Sequence, residues 1–162
     1  MVKNSHCSYC GAAFAPGVGW PRTCQACGST SFVNPIPVAV ALLPVDGGLL
    51  AVRRAIEPHF GRLALPGGYI NLGETWQQAA ARELWEETGV KIEADELQVF
   101  GAASAPDGTL LLFGLARART ASDLPPFQSD AESSERVVVY DPEGLAFALH
   151  AAAARQFFQQ AR

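Results

Sequence analysis

Glu83, Glu86 and Glu87 are spaced i, i+3, i+4 within Thr75 to Thr88, a stretch of helix formers with no internal Gly or Pro and a stop at Gly89. At ~100° per residue the three carboxylates fall within an arc of roughly 100° and share one helix face. Like charges at this spacing destabilise an isolated helix by about 0.2–0.5 kcal/mol per pair, so the arrangement is a cost unless a cation offsets it. Three hard oxygen donors suit Mg²⁺ or Mn²⁺. A solvated acidic face satisfies the same spacing, and the glutamates alone leave both readings open.

A second set of candidate ligands lies near the start of the chain. All four cysteines occur as Cys7-x2-Cys10 and Cys24-x2-Cys27, and each short pair can turn both sulfurs toward one tetrahedral ion, for which Zn²⁺ is the expected occupant. Gly11 and Gly28 each follow the second cysteine of a pair, where a tight turn frees backbone N–H groups to point at sulfur. Two disulfides or a redox dithiol would use the same residues, but no secretory signal precedes them. The arrangement resembles a zinc ribbon over residues 1–34. Such modules often bind nucleic acid, yet from Met1 to Asn34 the ionised side chains besides the cysteines are Lys3 and Arg22, too few for a phosphate-tracking surface.

These groups need elements to hold them. After Asn34-Pro35 the pattern becomes β-rich. Ile36–Val45, Asp46-Gly47-Gly48 and Leu49–Arg54 read as a hairpin, and Leu63–Leu65 as a short strand ended by Pro66-Gly67-Gly68. The glutamate helix follows, with Gly89 as its C-cap. Leu97–Ser104 and Thr109–Ala118 form a second hairpin through Asp107-Gly108, and a polar loop from Asp123 to Ser134 leads to a strand at Arg136–Tyr140. Asp141-Pro142 reads as the N-cap and first turn of an Ala-rich closing helix, whose Phe147, Ala151, Ala154 and Phe158 recur at helical spacing as a core-facing stripe. Strands flanked by two helices predict an α/β fold, an α/β/α sandwich on a mixed sheet.

Composition bounds the rest. The 162 residues suffice for about one domain and a small satellite, and 49% apolar with 17% charged residues describes a globular chain. The longest apolar run, Ile36 to Val45, is broken by prolines and falls short of the ~18–20 residues a bilayer demands, so no membrane partner is expected. Without a secretory signal the expected compartment is the cytoplasm. A net charge of −4 disfavours generic nucleic-acid binding.

The segment from Gly68 to Val90, GYINLGETWQQAAARELWEETGV, reads Gly68, five residues, Glu74, seven residues, Arg82-Glu83-Leu84, one residue, Glu86-Glu87, one residue, Gly89-Val90. This resembles the Nudix hydrolase box with every defining position filled. The resemblance extends over about residues 35 to 145, within a Nudix domain placed at 35–162. It implies that Glu83, Glu86 and Glu87 bind catalytic Mg²⁺ or Mn²⁺, with the carbonyl of Gly67 as a further ligand. Arg82 belongs to the site as the residue that, with Glu74, holds the loop against the helix. The implied reaction is hydrolysis of a nucleoside diphosphate linked to another group X, a small-molecule nucleotide substrate. Some members use a general base outside the box; here Glu135 is the first candidate and Glu132 the second. His59 is a candidate substrate contact, and His150 has no evident partner.

A zinc ribbon preceding such a domain resembles the NADH pyrophosphatase group and its relatives acting on ADP-ribose and flavin dinucleotide (FAD). The stretch Gly101 to Asp107 lacks the first group's Ser-Gln-Pro-Trp type motif. The Asn34-Pro35 junction and Glu132-Ser133-Ser134-Glu135 look more like the relatives, which favours ADP-ribose or a similar dinucleotide over NADH. Leu63 stands where many members have Trp. Two rival readings are a nonenzymatic nucleotide sensor, which should have lost metal ligands, and a ribbon-based interaction protein, which should carry a strong basic or apolar patch. A homodimer is the protein partner the resemblance implies, and no single stretch identifies an interface.

Overall fold

Asp46 and Gly47 both adopt positive φ, 47° and 84°, the backbone a two-residue hairpin turn requires. In the computed structural model, which describes residues 3–160, this turn joins β4 (Pro44–Val45) to β5 (Gly48–Arg54). The chain divides after Pro35 into two units.

In the first unit β1 (Arg22–Thr23) pairs antiparallel with β2 (Thr30–Ser31). Two matching turns carry the cysteines. Gly11 N–H donates to the carbonyl of Cys7 at 3.0 Å and Gly28 N–H to that of Cys24 at 2.9 Å. Both glycines are left-handed, at φ 74° and 73°, where a side chain would be strained.

The second unit contains two four-stranded sheets. One runs β7 (Gly67–Tyr69), β3 (Ile36–Leu42), β9 (Thr109–Leu115), β8 (Gln98–Ser104), with β3 and β9 parallel and the other pairs antiparallel. The other runs β10 (Ser133–Val139), β5, β4, with β6 (Leu63–Ala64) also on β5. Helix α1 is Trp76–Thr88 and α2 is Ala148–Gln160.

Period-2 alternation on β3 builds two cores. Ala39 and Ala41 pack with Ala79, Ala80 and Leu84 of α1, whereas Val40 and Leu42 pack with Ala153 and Ala154 of α2. The sheets therefore lie between two helices in a mixed α/β fold.

Several local expectations are corrected. Ile36–Val45 is not one arm of a hairpin, because at Leu43 the chain leaves the first sheet for the second and only β4 turns back onto β5. Gly67–Tyr69 is a strand rather than a turn. The closing helix starts at Ala148 and not at Pro142, since Gly144 is left-handed (φ 85°) and Leu145 bridges Leu63. Of the expected stripe, Ala154 is fully buried and Ala151 and Phe158 pack against the core, joined by the buried His150 and Ala153, whereas Phe147 lies before the first turn. Among the described residues no helix is long and apolar enough to cross a membrane.

Candidate functional site

Thr75 caps α1 by a reciprocal pair of bonds: its hydroxyl accepts from Gln78 N–H at 3.2 Å, and its own N–H donates to Gln78 Oε1 at 2.8 Å. At the other end Gly89, at φ 76°, donates to Trp85 O. Ala79, Ala80, Leu84 and Thr88 face the core, which turns Arg82, Glu83, Glu86 and Glu87 to the remaining arc.

Arg82 organises this arc. Its Nε and Nη2 grip Glu74 at 3.2 and 2.7 Å, Nη2 also donates to Tyr69 O at 3.0 Å, and Nη1 reaches Glu83 at 2.6 Å and Glu86 at 3.1 Å. Glu74 accepts in addition from Asn71 N–H at 2.6 Å. Both contacts hold the Glu74 carboxyl below its ordinary range, Arg82 contributing most. The loop between β7 and α1 is thereby tied to the helix.

Glu83 and Glu87 are in a different state. Burial raises the Glu83 carboxyl in spite of Arg82, and pushes Glu87 up to about 8, where Gly67 N–H opposes the shift and the charges of Glu83 and Glu132 add to it. Too much negative charge shares too little water here, the condition a divalent cation relieves.

The glycine strand sets how closely the helix approaches. A Cβ on Gly68 would lie 2.5 Å from Cδ of Glu83, so a side chain there would displace the Glu83 carboxylate. Gly67 N–H donates to Glu87 Oε2 at 3.2 Å. The bonds from Ala41 N–H to Pro66 O and from Ile70 N–H to Pro37 O, with the register Val40↔Gly67, make Gly67 a non-hydrogen-bonded position on β7. Its N–H and C=O both turn away from β3, which leaves that carbonyl available to an ion.

A cavity of about 270 Å³ is lined by Glu86, Glu87, Asp130, Ala131 and Glu132. Asp130 commits one carboxylate oxygen, Oδ1, to its own loop, accepting from Glu132 N–H at 2.8 Å and Ser133 N–H at 2.7 Å. Ala55 N–H fastens the loop to the end of β5 through Glu132 O at 2.7 Å. Glu132 thus lines the cavity, whereas Glu135 lies outside its lining, with its carboxylate on Arg53 Nε at 2.6 Å. A register shift between Ser133 and Glu135 separates the two.

His59, at φ 68°, stands edge-on to Phe147 at 5.1 Å. His150, which had no evident partner, is buried and accepts from Leu65 N–H through Nδ1 at 3.2 Å. Sequence reasoning also missed Arg136, which donates to Thr88 O and Pro125 O, both at 2.7 Å, and so holds the end of α1.

In the first unit the four sulfurs lie within 4.8 Å of one another. The Cys7–Cys27 and Cys10–Cys24 separations are 3.8 and 3.6 Å, close to the ~3.8 Å edge of a tetrahedron with ~2.3 Å metal–sulfur bonds and far beyond a ~2.05 Å disulfide. Backbone N–H groups of Cys10 and Tyr9 pull the Cys7 thiol down to about 6, toward the thiolate a metal needs, while the neighbouring Cys27 and Cys24 push the Cys10 thiol up to about 12. These residues could hold one zinc ion.

The NUDIX domain family model matches residues 34–161. A MutT-like protein of Streptomyces ambofaciens is 46% identical over 65 residues, covering 40% of each chain. An ADP-ribose pyrophosphatase of Methanocaldococcus jannaschii is 34% identical over 76 residues, 47% of this chain and 44% of that one. This chain therefore spans less than half the length of either relative. The crystal structure of a NUDIX hydrolase from Nitrosomonas europaea superposes with a TM-score of 0.77 at 24% identity, over 96% of this chain and 91% of that one, a likeness of fold.

Proposed function

The chain belongs to the NUDIX domain family, and on that premise we propose that it is a divalent-metal-dependent pyrophosphohydrolase. Its substrate on this reading is a nucleoside diphosphate linked to X, with ADP-ribose or a related dinucleotide such as FAD or NADH preferred. The observation that carries the reading is the convergence of Glu86, Glu87 and Glu132 on one cavity, beside a glycine strand that admits the Glu83 carboxylate against Gly68. The pyrophosphatase relative of M. jannaschii supports the choice of ADP-ribose.

Glu83, Glu86 and Glu87, with the carbonyl of Gly67, would hold Mg²⁺ or Mn²⁺. Such an ion neutralises a diphosphate and lowers the pKa of an attacking water. The remaining work falls to the chain. Arg82 keeps Glu83 and Glu86 in place and fastens the loop through Glu74, so little reorganisation remains once substrate arrives. Gly67 and Gly68 let the diphosphate approach the backbone. Glu132 accepts the proton of the attacking water as general base in place of Glu135. Water's oxygen joins one phosphorus as the anhydride P–O bond breaks, giving a nucleoside monophosphate and a phosphorylated X. Cys7, Cys10, Cys24 and Cys27 hold a structural Zn²⁺.

The test is product release with Mg²⁺ and with Mn²⁺ across ADP-ribose, NADH, NAD, FAD, diadenosine polyphosphates and oxidised nucleoside triphosphates. A hundredfold preference for one dinucleotide supports the reading. Metal binding without cleavage of any of them would overturn it in favour of a sensor.

A further inference from the structure

Leu63 and Ala64 pair with Arg53 and Val52 in one sheet, and Gly67 resumes pairing opposite Val40 in the other. Leu65 and Pro66 span the gap and belong to neither ladder. Both are fully buried, Leu65 at 1% exposure. A buried backbone donor without a partner costs about 1–3 kcal/mol, so each polar group of a crossing of this kind must find a partner.

Proline brings no N–H, and the carbonyl of Pro66 accepts from Ala41 N–H at 2.9 Å. The remaining donor is Leu65 N–H. It goes to Nδ1 of His150 at 3.2 Å, 85 residues along the chain. His150 is 6% exposed, with Phe113 edge-on at 6.0 Å and Phe147 tilted against it at 4.9 Å. An imidazole that accepts through Nδ1 carries its proton on Nε2 and is neutral. Burial, with the nearby charge of Arg54, holds its pKa down at about 4, which keeps the acceptor at neutral pH.

Little slack separates this anchor from the carboxylates. Gly67, the next residue after the crossing, gives its N–H to Glu87, and Gly68 lies directly against the Glu83 carboxylate. A shift at Leu65 is therefore passed within three residues to backbone that touches both glutamates.

We infer that His150 is a positioning residue for the carboxylate centre, holding the Leu65-Pro66 crossing so that Gly67 and Gly68 meet Glu87 and Glu83 in their ligating positions. The inference rests on the reading of those glutamates as metal ligands. It assigns to α2 a role in a centre from which α2 supplies no ligand.

The experiment measures Mn²⁺ binding to the full chain by electron paramagnetic resonance, without nucleotide, for wild type, His150→Phe and His150→Asn. Phe keeps a ring and deletes the acceptor; the Asn Oδ1 takes the position of Nδ1. Groups that orient metal ligands typically matter 10–100-fold in affinity, so the Phe variant is expected to bind about tenfold more weakly and the Asn variant within about threefold of wild type. Unchanged Mn²⁺ affinity in folded His150→Phe would overturn the inference, as would equal losses in both variants, the result a merely structural histidine predicts. Should His150→Phe fail to fold, long-range ¹H–¹⁵N spectra of the wild type decide, with a proton on Nε2 expected and a proton on Nδ1 overturning it. Wild-type protein that binds Mn²⁺ but hydrolyses no dinucleotide defeats the proposed activity and leaves this inference standing. Wild-type protein that binds no Mn²⁺ defeats both.

Discussion

Gly67 N–H reaches Oε2 of Glu87 across 3.2 Å, so a strand backbone and a helix side chain 20 residues apart share one hydrogen bond. The bond favours the ionised carboxylate, while burial and the charges of Glu83 and Glu132 oppose it. Burial wins. The site is electrostatically loaded, and its predicted behaviour follows from that imbalance.

Glu86→Gln is expected to lower kcat by about 10³-fold, the scale on which preorganised charge acts in phosphoryl transfer. The side chain is half exposed at 49%, so unfolding stability should move by no more than about 0.5 kcal/mol. Steady-state kinetics beside a urea titration check both, and wild-type turnover would refute the site.

Glu132→Gln should cost about 10²–10⁴-fold in kcat, the range of a general base. Glu135→Gln, which removes a surface partner of Arg53, should leave kcat within about threefold. The reverse order in the same assay would return the role to Glu135.

In Gly68→Ala the new methyl group collides with the Glu83 carboxylate. The carboxylate is the end of a side chain and gives way with little loss of stability, but moving Glu83 should raise the Mg²⁺ concentration needed for half-maximal activity. Normal Mg²⁺ activation in the variant would show that Glu83 has room to spare.

Three groups shape the pH profile of the metal-free protein near neutrality: Glu87, His150 and the Cys7 thiol, which is lowered from 9.0 to about 6. The Glu87 carboxyl is raised from 4.5 to about 8, so the folded state binds the extra proton and this stability is lost as pH rises through 8. The His150 imidazole is lowered from 6.5 to about 4, so its contribution is present above 6.5 and lost as pH falls toward 4. The Glu87 and His150 slopes oppose each other between about 4.5 and 6.5, and between about 6.5 and 8 the fall from Glu87 is set against a rise from Cys7, whose contribution is present above 9 and lost as pH falls through 6. With EDTA, the urea midpoint of wild type should therefore fall relative to that of Glu87→Gln across pH 6.5 to 8, and the difference should flatten with Mg²⁺. A difference between the two that stays constant from pH 6.5 to 8 would contradict the raised Glu87.

Freshly purified protein should contain about one zinc per chain, and Cys7→Ser should lose it. Metal analysis that finds none in the wild type would remove the structural zinc.

The most legible part of this protein is the glutamate helix. Its limits are written locally, in the Thr75–Gln78 capping pair and the left-handed Gly89, and so is the spacing that puts Glu83, Glu86 and Glu87 on one arc. Cysteine spacing is equally local, and the sulfurs come together. What stayed hidden depends on distant partners. Pro44 marks a break beside Leu43 but does not say that the chain changes sheets there, because apolar residues continue on both sides of it. The irregularity beside Ser134 decides which glutamate lines the cavity, and it leaves no mark in an alternating pattern. Leu65 and His150 are 85 residues apart, and neither residue type announces the other.

Strand β3 has unequal tolerances on its two sides. Ala39 and Ala41 share a core with the glutamate helix, while Val40 and Leu42 share one with α2. Adding one methylene at an odd position wedges the helix that bears all three carboxylates, while the same increment at an even position reaches them indirectly, through Gly67 opposite Val40 or through α2 and its His150. Residue parity along a single strand therefore sorts substitutions of equal size and hydrophobicity by the route along which they disturb the chemistry.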